Sequence, residues 1–239
     1  MLSNQALDPH FRWRGHEVTR VEAFSDAVFA FAMTLLVVSL EVPKNLSQLL
    51  ETMRGFPAFA TCFTILVMLW YWHYKFFRRF GLQDRFTIVW NAALLFVVLF
   101  FVYPLKFVMT LVVNMMLGVA YEQPPIAAGQ GDDMMYIYNA GYIAVCGIYA
   151  LLYHHAYRLR ARFELNEAEV FIARSERRAY IINIGIALFS TSLLLYGGSA
   201  MANWAGLTYW LIGPAMGIHG YRTGKKLHAI QLRMNPNNA

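Results

Sequence analysis

The sequence predicts an all-α integral membrane protein, and three observations predict it. Of 239 residues, 58% are hydrophobic and 14% are charged, whereas soluble domains carry about a quarter charged residues. The mean hydropathy is +0.41. Six stretches each supply the roughly 20 apolar residues that a membrane-crossing helix needs: 20–42, 56–77, 86–117, 135–157, 178–199 and 203–222. None has the two-residue alternation of a membrane β-barrel. The net charge of +6 comes from basic residues at the ends of these runs. No nucleic-acid partner is expected, and the surrounding partner is the lipid bilayer.

The first twenty residues are polar and basic, without the apolar centre of a cleavable signal, so the first stretch is expected to drive its own insertion. That stretch, RVEAFSDAVFAFAMTLLVVSLEVP, opens with Arg20, Glu22, Ser25 and Asp26. Charged groups entering hydrocarbon are costly and need partners. The third stretch is long, and Pro104 is expected to kink it or interrupt its hydrogen bonding. The last two stretches read as a tight helical hairpin. Cys62 and Cys146 lie inside apolar runs and read as small buried hydrophobes.

Basic residues favour alternate connections: Arg12 and Arg14 in the N-terminal tail, Lys75 to Arg85 in the second, Arg158 to Arg178 in the fourth, and Arg222 to Arg233 at the C-terminus. The positive-inside rule then puts both termini in the cytoplasm. The mixed-charge stretch 158–178 reads as an interfacial amphipathic helix or an extension of its neighbours. The domain organisation is a tail, 1–19, a six-helix membrane domain, 20–222, and a C-terminal tail, 223–239, with MNPNNA expected to be disordered. Asn45-Leu46-Ser47 matches a glycosylation sequon, a short and weak pattern.

This topology sets depth. Asp26 lies about six residues inside the first helix, about 9 Å at 1.5 Å per residue. His73 and Trp70 on the second helix, and Asn91 on the third, reach the same level. Ser25, Asp26, Trp70, His73 and Asn91 are therefore expected in one layer, where buried polar groups must be paired. Three readings stay open: a structural knot between helices, a proton relay through Asp26 and His73, or a direct ion or ligand site. No nucleophile, paired catalytic carboxylates or metal constellation accompanies the layer. His154 and His155 are adjacent and point to different helix faces. No enzymatic activity is expected.

With Phe31 at zero on a wheel of about 100° per residue, Leu35, Val38 and Phe24 fall near ~40°, ~340° and ~20°, with Thr34 near ~300°. Ser25 and Asp26 fall near ~120° and ~220° on the same wheel. Phe31, Leu35 and Val38 thus form an apolar stripe. Ala23, Ala27 and Ala30 form a small-residue seam that permits close helix approach. Taken alone, the stripe reads as a lipid or helix contact. A pore lining is the other reading.

The pattern R-x-x-x-F-S-D at Arg20, Phe24, Ser25 and Asp26 resembles the signature of the transmembrane-protein-175 family of potassium channels. W-x-x-H at Trp70 and His73, then Phe77 and a basic cluster, is similar to its second helix; Trp90-Asn91 and Pro104 are similar to its third. The resemblance implies a homotetramer with six helices per subunit, whose first helices line a central pore. It implies apolar rings at Phe31, Leu35 and Val38, a hydroxyl ring at Thr34, and a network of Arg20, Phe24, Ser25, Asp26, Trp70, His73 and Asn91 holding the pore helix. Potassium ions would pass without fixed protein ligands, with modest discrimination against sodium and no cofactor. The location would be a cell membrane, crossed several times, of the prokaryotic plasma-membrane kind. The chain departs from the family at Phe31, where an aliphatic residue is usual, at Tyr74, often a second histidine, and at Ala27, commonly glycine. No T-V-G-Y-G segment is present, so carbonyl-stack selection is excluded. The alternative function is a proton channel or proton-coupled transporter using Asp26 and His73.

Overall fold

The computed structural model describes residues 8, 10–38, 42–118, 126 and 129–234. Among these, all regular structure is helical: α1 (Arg20–Val38), α2 (Leu46–Arg54), α3 (Phe56–Phe80), α4 (Arg85–Met116), α5 (Gly131–Arg158), α6 (Glu167–Gly197), α7 (Ala202–Leu207) and α8 (Ile212–Met234). Five helical stretches are long and apolar enough to cross a membrane: α1, α3, α4, α5 and the 68 residues Glu167–Met234. The last is interrupted at residues 198–211, where Gly198 takes φ 54° and short 3-10 turns flank α7. Beyond that break α8 packs back against α6, which makes the expected hairpin.

Several boundaries differ from expectation. The first helix is described to Val38; residues 39–41 lie outside the described set. The first connection contains α2, whose N-cap Asn45 accepts from the Gln48 N–H at 2.9 Å. Asn45 is the first residue of the sequon, so its side chain serves as a helix cap. Of the two readings of 158–178, the extension of a neighbour holds for residues 167–178, and the separate interfacial helix does not. These residues are the first turns of α6, started by a capping box between Asn166 and Glu169. α4 runs unbroken through Pro104. α8 continues to Met234, so most of the expected C-terminal tail is helical, and 235–239 lie outside the described residues.

Packing is sequential. α1 lies against α3 and α4, α4 against α5, and α5 against α6 along the most extensive interface. The core is aromatic at the N-terminal end of the bundle: Phe76, Phe77, Phe80, Tyr149 and Tyr153 are fully buried. The Tyr149 hydroxyl donates to the Leu69 carbonyl at 2.9 Å. Its ring stacks on Tyr180 with centroids 5.0 Å apart. α4 approaches α5 at Gly141, where a Cβ would stand 2.3 Å from the Phe101 ring. Cys62 and Cys146 are buried and form no disulfide.

A second polar group ties the far half together. Asn139 donates to Ser190 at 3.1 Å and Thr191 at 3.0 Å, and accepts from the Tyr209 hydroxyl at 2.7 Å. Ser190 donates in turn to the Ala205 carbonyl at 2.9 Å. Every member has a partner, which is the condition for a polar group inside an apolar bundle.

Candidate functional site

The polar residues of α1 divide into two sets on adjacent sides of the helix. One set is buried and directional. His73 donates its Nε2–H to Asn91 Oδ1 at 2.7 Å. Asn91 donates from Nδ2 to Ser25 Oγ at 2.9 Å. Ser25 donates to the Val21 carbonyl at 2.7 Å. Three helices, α3, α4 and α1, are thereby joined by one chain of donors, as the depth argument expects. His73 is packed between Phe29 and Phe77, whose rings are 5.5 and 4.6 Å from it. Its Nδ1 is buried without a partner.

The second set is at the surface. Trp70 donates its indole N–H to Asp26 at 2.8 Å. The indole stacks on Tyr74 at 5.8 Å, and the Arg78 guanidinium lies over the Tyr74 ring at 5.5 Å. Asp26 itself is exposed. The expectation of one network joining Asp26 to His73 is therefore corrected: these two share no hydrogen bond among the described residues. The reason is helical geometry, since adjacent residues such as Ser25 and Asp26 are turned by about 100°. Arg20 and Phe24 are also exposed, outside both sets.

The rest of α1 follows the same division. Glu22, Ser25, Phe29, Ala32 and Leu36 are buried. The opposite side is bare: Phe31 is 57% and Val38 77% exposed, and Ala23, Ala27, Ala30 and Thr34 are exposed with them. Thr34 donates its hydroxyl to the Phe31 carbonyl at 2.7 Å. Leu35, at the border of the two arcs, is half-buried and packs against the core. Of the expected stripe, Phe31 and Val38 are mostly exposed and Leu35 only in part.

The start of α1 is held by residues that sequence reasoning passed over. Thr19 and Glu22 form a capping box: the Thr19 N–H donates to Glu22 Oε2 at 2.8 Å, and the Glu22 N–H donates to Thr19 Oγ1 at 3.2 Å. The T-x-x-E spacing was the available signal. Glu22 also pairs with Arg78 at 3.6 Å. Just upstream, Arg14 N–H and Gly15 N–H both donate to the Arg78 carbonyl at 3.1 Å. The Arg78 guanidinium donates back to the Gly15 carbonyl at 3.0 Å.

That N-terminal segment lies across the ends of α3 and α6. Arg79 pairs with Asp8 at 2.7 Å and with Glu176 at 2.9 Å, and Lys75 reaches Glu176 at 3.1 Å. Phe11 is buried beside Phe80 under the Arg79 guanidinium. Arg14 holds Glu169 with two bonds, 3.1 and 2.8 Å. Burial pushes the Glu169 carboxyl up, but its bonds to Arg14 and to the Arg12 and Asn166 N–H groups outweigh that and leave it below the ordinary glutamate value. Beyond α3, Asp84 joins His155 at 2.9 Å and accepts from Thr87 at 2.6 Å. Among the described residues no group of His, Cys, Asp and Glu side chains could hold a metal ion.

The fold and site define a polytopic helical membrane protein whose first helix is pinned on one side and bare on the other. Residues 20–101 match the family described as endosomal/lysosomal potassium channel TMEM175. The chain is 36% identical over 230 residues to a potassium channel of Marivirga tractuosa, covering 92% of this chain and 93% of the relative. It is 29% identical over 148 residues to a potassium channel of Chamaesiphon minutus, covering 59% of this chain and 66% of that one. It is also similar to the crystal structure of a variant of the potassium channel MtTMEM175 bound to a nanobody–MBP fusion, with TM-score 0.80, 34% identity, and coverage of 91% of this chain and 98% of that one. The chain belongs to the TMEM175 family, a family of ion channels and not of enzymes.

Proposed function

We propose that the protein is a potassium-permeable cation channel with six membrane passes, in which four copies of α1 surround a central pore. The bare arc of α1 is the observation that carries this reading. Lipid accounts poorly for it, because the arc contains Asp26 and Arg20 beside an alanine seam. Charged groups at such a surface need partners, and small residues let helices approach closely. A second copy of α1 and its neighbours supplies both.

In that assembly Phe31, Leu35 and Val38 form successive apolar rings, with the Thr34 hydroxyl between them. Selection then comes from pore diameter and partial dehydration at an apolar neck. Hydrating water largely persists, so discrimination against sodium is moderate. The buried set Ser25, Asn91 and His73 fixes the rotation of α1, and Asp26 with Trp70 meets the neighbouring subunit. Both termini face the cytoplasm of a prokaryotic cell, and the channel sits in its plasma membrane.

The test is ion flux from purified protein reconstituted in liposomes. A potassium gradient drives current, and sodium carries less. Flux driven only by a pH gradient and abolished by His73→Ala would favour the rival proton pathway. The separation of Asp26 from His73 speaks against that rival.

A further inference from the structure

We propose that the end of the α5–α6 pair at which α5 stops and α6 starts carries a binding site for the phosphodiester headgroup of an anionic phospholipid. Three guanidinium groups converge on one exposed ring there. Arg160, Arg174 and Arg177 lie 4.7, 4.7 and 5.7 Å from the Tyr157 centroid. Arg174 also donates to the Tyr157 hydroxyl. Arg177 donates to His154 Nδ1 at 2.8 Å.

None of the three pairs with a carboxylate among the described residues. Four other cations at this end, Arg14, Lys75, Arg78 and Arg79, each meet an acid. Three like charges held on one ring repel one another until an anion sits among them. Arg177 adds a second sign of an absent partner, since its Nε is buried and makes no hydrogen bond. Guanidinium forks match the paired oxygens of a phosphodiester.

The place identifies the source as lipid. The cluster stands where α5 ends and the apolar run of α6 begins, at headgroup depth. Basic clusters between membrane helices on this side are suited to anionic lipid heads. Apolar surface continues above it. Leu151 on α5 and Ile181 on α6, one turn from His154 and Arg177, are exposed. Gly147, two turns from His154 on the same stripe, has open space where a Cβ would stand. An acyl chain can lie there while its phosphate meets the arginines.

The experiment uses the full chain in detergent, with thermal unfolding read as lipid is added. Dioleoyl phosphatidylglycerol raises the melting temperature by several degrees, and dioleoyl phosphatidylcholine does not. R174Q/R177Q loses the shift. R222Q/K225Q/K226Q, with three charges removed from α8, keeps it. An equal shift with the α5–α6 variant, or loss of the shift with the α8 variant, overturns the site. A full shift from glycerol phosphate at the same concentration makes it a soluble-anion site and overturns the lipid assignment. If R174Q/R177Q does not fold, native mass spectrometry of the wild-type chain decides: preferential retention of phosphatidylglycerol over phosphatidylcholine supports the site, and equal retention overturns it.

Discussion

Trp70 donates its indole N–H to Asp26 across 2.8 Å, and the carboxylate so held stands at the surface of the subunit. Ser25, its neighbour in sequence, is fully buried. One helix thus presents an acid outward and a hydroxyl inward within a single residue step. Removing the acid therefore leaves the subunit fold nearly intact and weakens assembly. Asp26→Ala is expected to run as a smaller species in size-exclusion chromatography with light scattering, with helical content unchanged. A tetramer of normal stability would contradict this.

Loss of Asn91 acts in the opposite way. Asn91→Leu removes two hydrogen bonds and strands the His73 Nε2–H inside the bundle. A buried donor left without its partner costs about 1–3 kcal/mol. The variant is expected to unfold at a lower temperature, with assembly of the remaining folded protein unaffected.

Leu35 and Phe31 separate by exposure. Phe31→Ala shortens a side chain that is more than half exposed on the subunit, so it is expected to change conductance with little effect on subunit stability. Leu35→Ala raises leak, weakens potassium over sodium discrimination and lowers stability by about 2 kcal/mol or less, because Leu35 is half-buried and large-to-small core changes cost 2–5 kcal/mol when burial is complete. Flux in liposomes and thermal unfolding of the same preparations check both. Unchanged flux in Leu35→Ala would remove it from the constriction.

The Arg14–Glu169 pair sets an acid limit. The Glu169 carboxyl lies below its ordinary value of 4.5. Its contribution is fully present above 4.5 and is lost as pH falls through the lower folded value. Glu169→Gln is expected to lower stability at neutral pH by on the order of 3 kcal/mol, the cost of breaking a buried pair. It also flattens the acid limb of a melting-temperature profile between pH 5 and 3, an interval set about the ordinary glutamate value.

Gly15 is the tight point of the N-terminal segment. A Cβ there would stand 2.8 Å from the Phe77 carbonyl oxygen. Gly15→Ala is expected to lift residues 8–15 from α3 and α6, read as faster amide exchange in that segment while α5 and the rest of α6 stay protected.

Much of this structure was legible because the chain is so apolar. A polar residue inside such a run has few places to go, and Ser25, His73 and Asn91 met as their depths required. Asp26 was harder. Trp70, expected in the same layer, is its partner, yet the side of the helix differs, since position along an axis says nothing about rotation around it. The outward arc of α1 followed from the wheel, which placed Phe31 and Val38 away from Ser25. Thr19 and Glu22 were readable as a local capping pattern. The anchors of the N-terminal segment were not, because Asp8 and Arg14 find their partners more than 70 residues away. The Asn139 group depended on how α5 meets α6, which has no signature in spacing, although the break that lets Tyr209 and Ala205 reach it was legible in the gap between 178–199 and 203–222.

The fastening of Arg14 to Glu169 joins residues 155 positions apart. At a synthesis rate of about 5–20 residues per second, roughly 8–30 seconds separate the appearance of the two. During that interval the first helix is in the membrane with its leading segment held by α3 alone, through Asp8–Arg79 and the Arg78 carbonyl, and not yet by α6. The bundle is closed at the base only when α6 emerges. The most distant ion pair on that face, with the Glu176 pairs that follow it, is thus a late stitch of biogenesis. A nascent chain arrested before residue 169 should hold its first helix in place and leave residues 10–15, then resting on α3 alone, more open to protease than in the finished chain.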